Sequence, residues 1–278
     1  MERNSNSRKG PVVKVTSERK GSNPGGYCKF HSNDLDLSRG YFKYCFGSRT
    51  SQGMSFLSEN QPVYEAITSV LANLFGLKTP PSYVLNNRDR NVSFDGGQEF
   101  SKRNHSGRDF YLISKIMEES EGVEESFVDL RVKEDSVYLE GLMISDVVNK
   151  RQNYLARMDL NNLEIFYLDV GCSFVRAVDG FLGVTKKTNN LICEKKKSKK
   201  IKKLKGKSLV PASGSGLINL ERIAQGIGDL EIPVLNPHGT MRVDELIGAQ
   251  EIEDIEKCMV DNFAKNISKF RGQGILVE

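Results

Sequence analysis

The sequence predicts an α+β fold of two lobes, the first β-rich with one main helix and the second mostly helical. Three observations predict it. Short aromatic and β-branched runs, separated by turn residues, fill the chain as far as residue 118. One amphipathic stretch, Ser58 to Phe75, interrupts them. Helical spacing returns near the end, in Leu217–Ile227 and Val243–Phe270.

A chain of 278 residues has room for one large domain or two lobes with a sizeable core. Its 38% hydrophobic and 27% charged content is that of a globular protein. No apolar run reaches the roughly 18 to 20 residues that span a bilayer. The opening MERNSNSRKGPVV carries no apolar signal segment, so the expected location is cytoplasmic. The five cysteines are widely spaced, with no Cys-x-x-Cys pair, which argues against a zinc site or a disulfide framework. Residues 195–207, KKKSKKIKKLKGK, hold nine of the 40 basic residues and leave 31 against 36 acidic ones elsewhere. A mildly acidic body with one basic insert is not the footprint of a nucleic-acid-binding fold.

Residues 1–20 are polar and read as a flexible start with one edge strand at most. Residues 21–118 form the first lobe. Its opening turn, Gly21 to Gly26, leads into the strand Tyr27–Phe30, and after Ser32-Asn33-Asp34 comes a second strand, Gly40–Phe46. Gly25 and Gly26 read either as a plain turn or as glycines whose backbone N–H groups approach phosphate oxygens. Lys43 lies in an aromatic strand whose neighbours Phe42 and Tyr44 point to the other face. It is either an edge lysine reaching for water or a buried cation with a partner. Glu65 is the candidate partner, early in the helix that Pro62 starts and Gly76 stops. The strand Ser82–Leu85, a polar stretch over 86–108 and the strand Phe110–Met117 complete the lobe.

Residues 119–278 form the second lobe. Phe127–Leu130 and Tyr138–Val148 are helix-like and lead into the loop Asn149-Lys150-Arg151-Gln152-Asn153. A connector follows, then the apolar run Ile165–Leu168, which ends on Asp169 with Gly171 two residues on. An aspartate in that setting can present oxygen to a metal, and the amide-rich loop upstream can supply its partner. Residues 186–216 hold the lysine run and Ser213-Gly214-Ser215-Gly216, a low-complexity segment.

In this order the strand lysine Lys43, Glu65 followed by Gly76-Leu77-x-x-Pro80, and Arg151-Gln152 before Asp169-x-Gly171-x-x-Phe174 resemble the HipA-like kinases. That family is a bacterial branch of the protein-kinase and phosphoinositide-kinase superfamily, and the likeness runs from about residue 20 to 270. It implies a two-lobed protein-kinase-like fold that moves the γ-phosphoryl of Mg-ATP to a hydroxyl, on a Ser/Thr protein substrate of unknown identity. By position, Lys43 would hold the phosphates and Glu65 would orient it. The backbone of Ser114, Ile116 and Met117 would receive adenine. Asp169, with Gln152 or Asn153, would hold Mg2+.

The loop departs from the family pattern. Where the family carries Asn-x-Asp before Arg-Gln, this chain has Val147, Val148 and Asn149. An asparagine cannot take a proton near pH 7. Lys150 is placed to stabilise the transferring group, and Asp146 would substitute only if the loop shifts register. Two expectations follow: a kinase of reduced activity, or a catalytically silent nucleotide-binding module that acts through partners. The basic segment 195–207 is either a solvated loop or a contact for an acidic partner.

Overall fold

A computed structural model of the chain describes residues 10–18, 25–44, 59–96, 107–118, 120, 123–135, 139, 142, 153–159, 162–168, 170 and 226–259. The fold is α+β. Its centre is one mixed sheet of β1 (Val12–Glu18), β2 (Gly25–His31), β3 (Asp36–Lys43), β4 (Ser82–Asn86), β5 (Ser93–Asp95), β6 (Phe110–Lys115), β9 (Glu231–Leu235) and β10 (Gly239–Arg242). The strand order is β10-β9-β4-β6-β3-β2-β1-β5. Neighbours are antiparallel except for β1 with β5 and β4 with β9.

Strict alternation gives the sheet two buried faces. On β6, Phe110 and Leu112 join one core while Tyr111 and Ile113 join another. The second core, with Val13, Phe30, Phe42 and Tyr44, lies inside a curl. β5 is four strands away from β6, about 19 Å on a flat sheet. Yet the rings of Phe94 on β5 and Tyr111 on β6 are 4.7 Å apart. The sheet therefore bends far enough for its edge strand to close over its own middle.

The first core carries helix α1 (Gln61–Leu74). Pro62 occupies the first turn, where its missing N–H costs nothing. The helix ends in a Schellman arrangement. Leu77 N–H donates to Ala72 O at 2.9 Å, Gly76 N–H donates to Asn73 O at 3.0 Å, and Gly76 has φ of 78°. Every side chain from Gln61 to Ser69 is buried. The amphipathic stripe read from sequence is thus only part of the picture, because a second layer covers the outer side of α1. That layer is the helical stretch 249–259, with Ile255 and Met259 in the same core. Each large apolar side chain buried here contributes about 1.5–3 kcal/mol.

Helix α2 (Glu125–Glu134) packs against a separate hairpin of β7 (Tyr154–Asp159) and β8 (Asn162–Tyr167). The hairpin is tied to the end of α1 by Tyr167 N–H donating to Lys78 O at 2.9 Å and by the Lys78–Glu164 ion pair. Tyr167 hydroxyl donates to the buried Asp135 at 2.6 Å.

Four expectations change. Residues 12–18 are an interior strand rather than a flexible start, because Val13 is needed to line the curl. The second half is not mostly helical among the described residues, since it supplies β7 to β10. The sheet also crosses the boundary expected near residue 118, with β9 running parallel to β4. Finally, the last helix does not begin at Val243. A 3-10 turn, Val243–Glu245, comes first and the helical residues start at 249. Arg88 holds that turn by donating to Glu245 O at 3.0 Å and Leu246 O at 2.6 Å. The expected stretch 138–148 is described only at Leu139 and Leu142; most of 217–227, all of 186–216 and residues 260–270 lie outside the described residues.

Burial pushes the Cys28 thiol up to about 12 from 9.0, and the Tyr111 hydroxyl up to about 12 from 10.0. Both acids stay protonated in the folded state after they ionise in the unfolded chain. Their stabilisation is complete below pH 9 and is lost as pH rises from about 9 to about 12. Urea midpoints of reduced protein are expected to hold to pH 8.5 and then fall. Cys28→Ala is expected to lessen the fall by about 1.4 kcal/mol per pH unit between roughly pH 9.5 and 11.5. Equal slopes in both proteins would remove Cys28 from the account.

Candidate functional site

The centre of the site is an ion pair between Lys43 Nζ on β3 and Glu65 Oε2 on α1, with side chains only 8% and 2% exposed. The sheet register explains how it forms. Lys43 pairs with Gly25 on β2 and Leu112 on β6, and Leu112 pairs with Val84 on β4. Directly paired residues share a face, so Lys43 lies on the face that α1 covers. Phe42 and Tyr44 go to the other face and fill the curl. One residue of slip would put the lysine into the aromatic core.

Gln61 completes the arrangement. It lies one turn before Glu65, and its side-chain amide donates to Glu65 Oε1 at 3.1 Å. Oε1 of Glu65 thus accepts from Gln61 while Oε2 is ion-paired with Lys43. Sequence reasoning missed Gln61, although its i, i+4 spacing to Glu65 was a usable signal.

Gly25 and Gly26 lie at the start of β2, paired with Lys43 and Phe42. A Cβ at Gly25 would sit 2.2 Å from Phe42 O and 3.0 Å from Lys43 Cα. The glycine thus lets β2 close onto the strand segment that carries the lysine. Continuing along the same face, Tyr27 pairs with Tyr41, and Tyr41 pairs with Ser114. The Tyr27 and Tyr41 rings meet edge to face at 5.6 Å, and Tyr27 is 49% exposed. Sequence reasoning also missed this aromatic pair beside the lysine; the alternation Tyr41-Phe42-Lys43 carried the signal.

Ser114 is an interior position of β6, and its hydroxyl lies 2.8 Å from that of Ser82. Ile116 N–H donates to Arg39 O at 3.3 Å and Lys115 N–H donates to Pro81 O at 2.8 Å. Met117 follows beyond these bonds. The predicted adenine-facing backbone thus leaves the sheet at Ile116–Met117.

Asn153 is buried just before β7, and its carbonyl accepts from Leu168 N–H at 2.8 Å. The hairpin therefore sets Asn153 beside the residue that precedes Asp169 in the chain. Asp169, Asn149, Lys150, Arg151 and Gln152 lie outside the described residues. Among the described residues no three His, Cys, Asp or Glu side chains cluster as a metal site. No helix among them is long and apolar enough to cross a membrane. A separate polar cleft of about 220 Å³ is lined by Asn33, Asp34, Asn91, Asn236 and His238 among others. None of the predicted site residues lines it.

Chemically, the described part of the site offers a fixed cation on a sheet face, flanked by aromatic rings and a close-approach glycine. Such a cation suits an anion that reaches the sheet along the Tyr27–Tyr41–Ser114 row. No family model and no curated protein matches the chain. Among solved structures, that of hydra Fam20 with sugar is similar at a TM-score of 0.45 and 12% identity, over 97% of this chain and 88% of that one. A likeness of that extent carries no argument about chemistry.

The ion pair itself makes a stability prediction. Removing one member of a buried pair leaves an uncompensated charge, at a cost of about 3–5 kcal/mol, whereas replacing both with apolar groups is close to neutral. In urea titrations Glu65→Leu should lose stability on that scale, and Lys43→Met with Glu65→Leu should recover most of it. A double variant as weak as the single one would mean that the two side chains do not act as a pair.

Proposed function

We propose that this chain binds Mg-ATP and acts as an ATP-dependent phosphotransferase of the HipA-like kind, with a Ser/Thr protein as acceptor. The observation that carries the reading is the buried Lys43–Glu65 pair. A buried ion pair is poor value as a stabiliser, because desolvation offsets most of its attraction. The pair makes sense if a bound anion uses the lysine. In this reading Lys43 holds phosphate oxygens, while Glu65, fixed by Gln61, keeps the ammonium aimed at them. The Ile116–Met117 backbone receives the base, and the Tyr27–Tyr41 rings cover its open side. Magnesium, held by Asp169 with Gln152 or Asn153, would neutralise charge between the phosphates. Arg151 and Lys150 would face the transferring group. A two-lobed, kinase-like arrangement belongs to the same proposal, as does an acidic partner for residues 195–207.

A second reading rests on Asn149, which stands where the resembled family has its acid. The chain would then bind nucleotide and signal through partners without transferring phosphate.

Two measurements test this. Mg-ATP at a hundredfold excess over its Kd should stabilise the protein by about 2.7 kcal/mol. The thermal shift should vanish in Lys43→Ala and lose its magnesium dependence in Asp169→Ala; equal shifts in all three would sink nucleotide binding at this site. With radiolabelled ATP, Asn149→Asp should raise label transfer about a hundredfold or more if the acid is all that is missing. Nucleotide binding with no transfer in either protein would support the second reading.

A further inference from the structure

Among the described residues, a carboxylate fastens the outer layer to the start of α1. Asn60 is the N-cap residue of α1, yet its side chain makes no cap hydrogen bond. Its amide instead donates to both carboxylate oxygens of Glu251, at 2.9 and 3.1 Å. Tyr64 hydroxyl donates to Oε1 of the same carboxylate. Gly248 N–H donates to Oε2 at 3.1 Å. Glu251 thus gathers three donor groups, two of them from α1 and nearly 190 residues away in sequence.

The placement links this contact to the ion pair. Asn60 and Tyr64 hold Glu251, while Glu65, the residue after Tyr64, holds Lys43 and accepts from Gln61, the residue after Asn60. The four side chains occupy a single stretch of α1 little more than one turn long. A rotation or slide of α1 that broke the Glu251 contacts would carry Glu65 with it. A side-chain cap stabilises a helix start, and Asn60 forgoes it for the long-range contact.

We propose that Glu251 is a positioning residue. It sets the angle of α1, and hence of Glu65 against Lys43, so that the segment 249–259 governs whether the cation is presented. As a means of regulating nucleotide binding, this rests on the function proposed above; the geometric claim does not.

The test labels lysines of the full-length protein with acetic anhydride, without nucleotide, and reads each site by mass spectrometry. Glu251→Ala should raise the Lys43 labelling rate about tenfold or more, equivalent to about 1.4 kcal/mol in the opening equilibrium. The exposed Lys14 on β1 should be unchanged. Glu251→Gln keeps a carbonyl acceptor for Asn60 or Tyr64 and should restore most of the protection. An unchanged Lys43 rate in Glu251→Ala would overturn the proposal, as would a rise shared equally with other buried groups, which a purely stabilising role predicts. Should Glu251→Ala not fold, Tyr64→Phe removes a single hydroxyl and should raise Lys43 labelling severalfold; no change there would overturn it too. Failure of the wild type to bind Mg-ATP would instead count against the proposed function and leave the labelling result standing.

Discussion

A lysine and a glutamate taken out of water must be placed accurately or not at all, and the architecture around Lys43 and Glu65 follows from that constraint. Their attraction recovers the cost of desolvation only with good geometry and satisfied neighbouring groups. The sheet supplies the lysine through a fixed register, with Gly25 allowing β2 to close against it. The aromatic curl holds that register from behind, since Phe42 and Tyr44 are anchored among Phe94 and Tyr111. Helix α1 supplies the glutamate, and a further layer packs on its outer side.

The chain's two halves are interleaved around the pair. If α1 were covered by the sheet alone, its outer side would face water and its tilt would be set on one side only. The C-terminal part instead extends the sheet with β9 and β10 and then crosses over α1 with the helical stretch that carries Glu251. The hairpin of β7 and β8, tied at Lys78 to the end of the same helix, brings Asn153 and the approach to Asp169 into the same framework. One helix is thus the common reference for the cation and for the strand that leads to the expected metal ligand.

Much of the cation half was legible in the sequence. A lysine alternating with aromatics and an acid just inside a Pro-started helix are local patterns, and local patterns survive folding. What was not legible depended on long-range partners. The strand β9 contains Pro233, which argues against an interior strand; it is tolerated because the pairing with β4 uses Val234 and Leu235 instead. The strand β7 buries Tyr154, Leu155 and Ala156 in succession, so the alternation that signals a strand is missing and it read as a connector. Gly25 was read for what it exposes, whereas its tightest constraint is what it approaches. Asn60 stands directly before Gln61 at the helix start, and nothing local shows that its side chain is spent on Glu251.

The most direct measurement is a crystal structure of the full chain with a non-hydrolysable ATP analogue and magnesium. The account predicts Lys43 Nζ within hydrogen-bond distance of a phosphate oxygen while still paired with Glu65, and the base over the Tyr27–Tyr41 row. An analogue bound elsewhere, with Lys43 and Glu65 sealed from it, would contradict the account and leave the pair a structural feature alone.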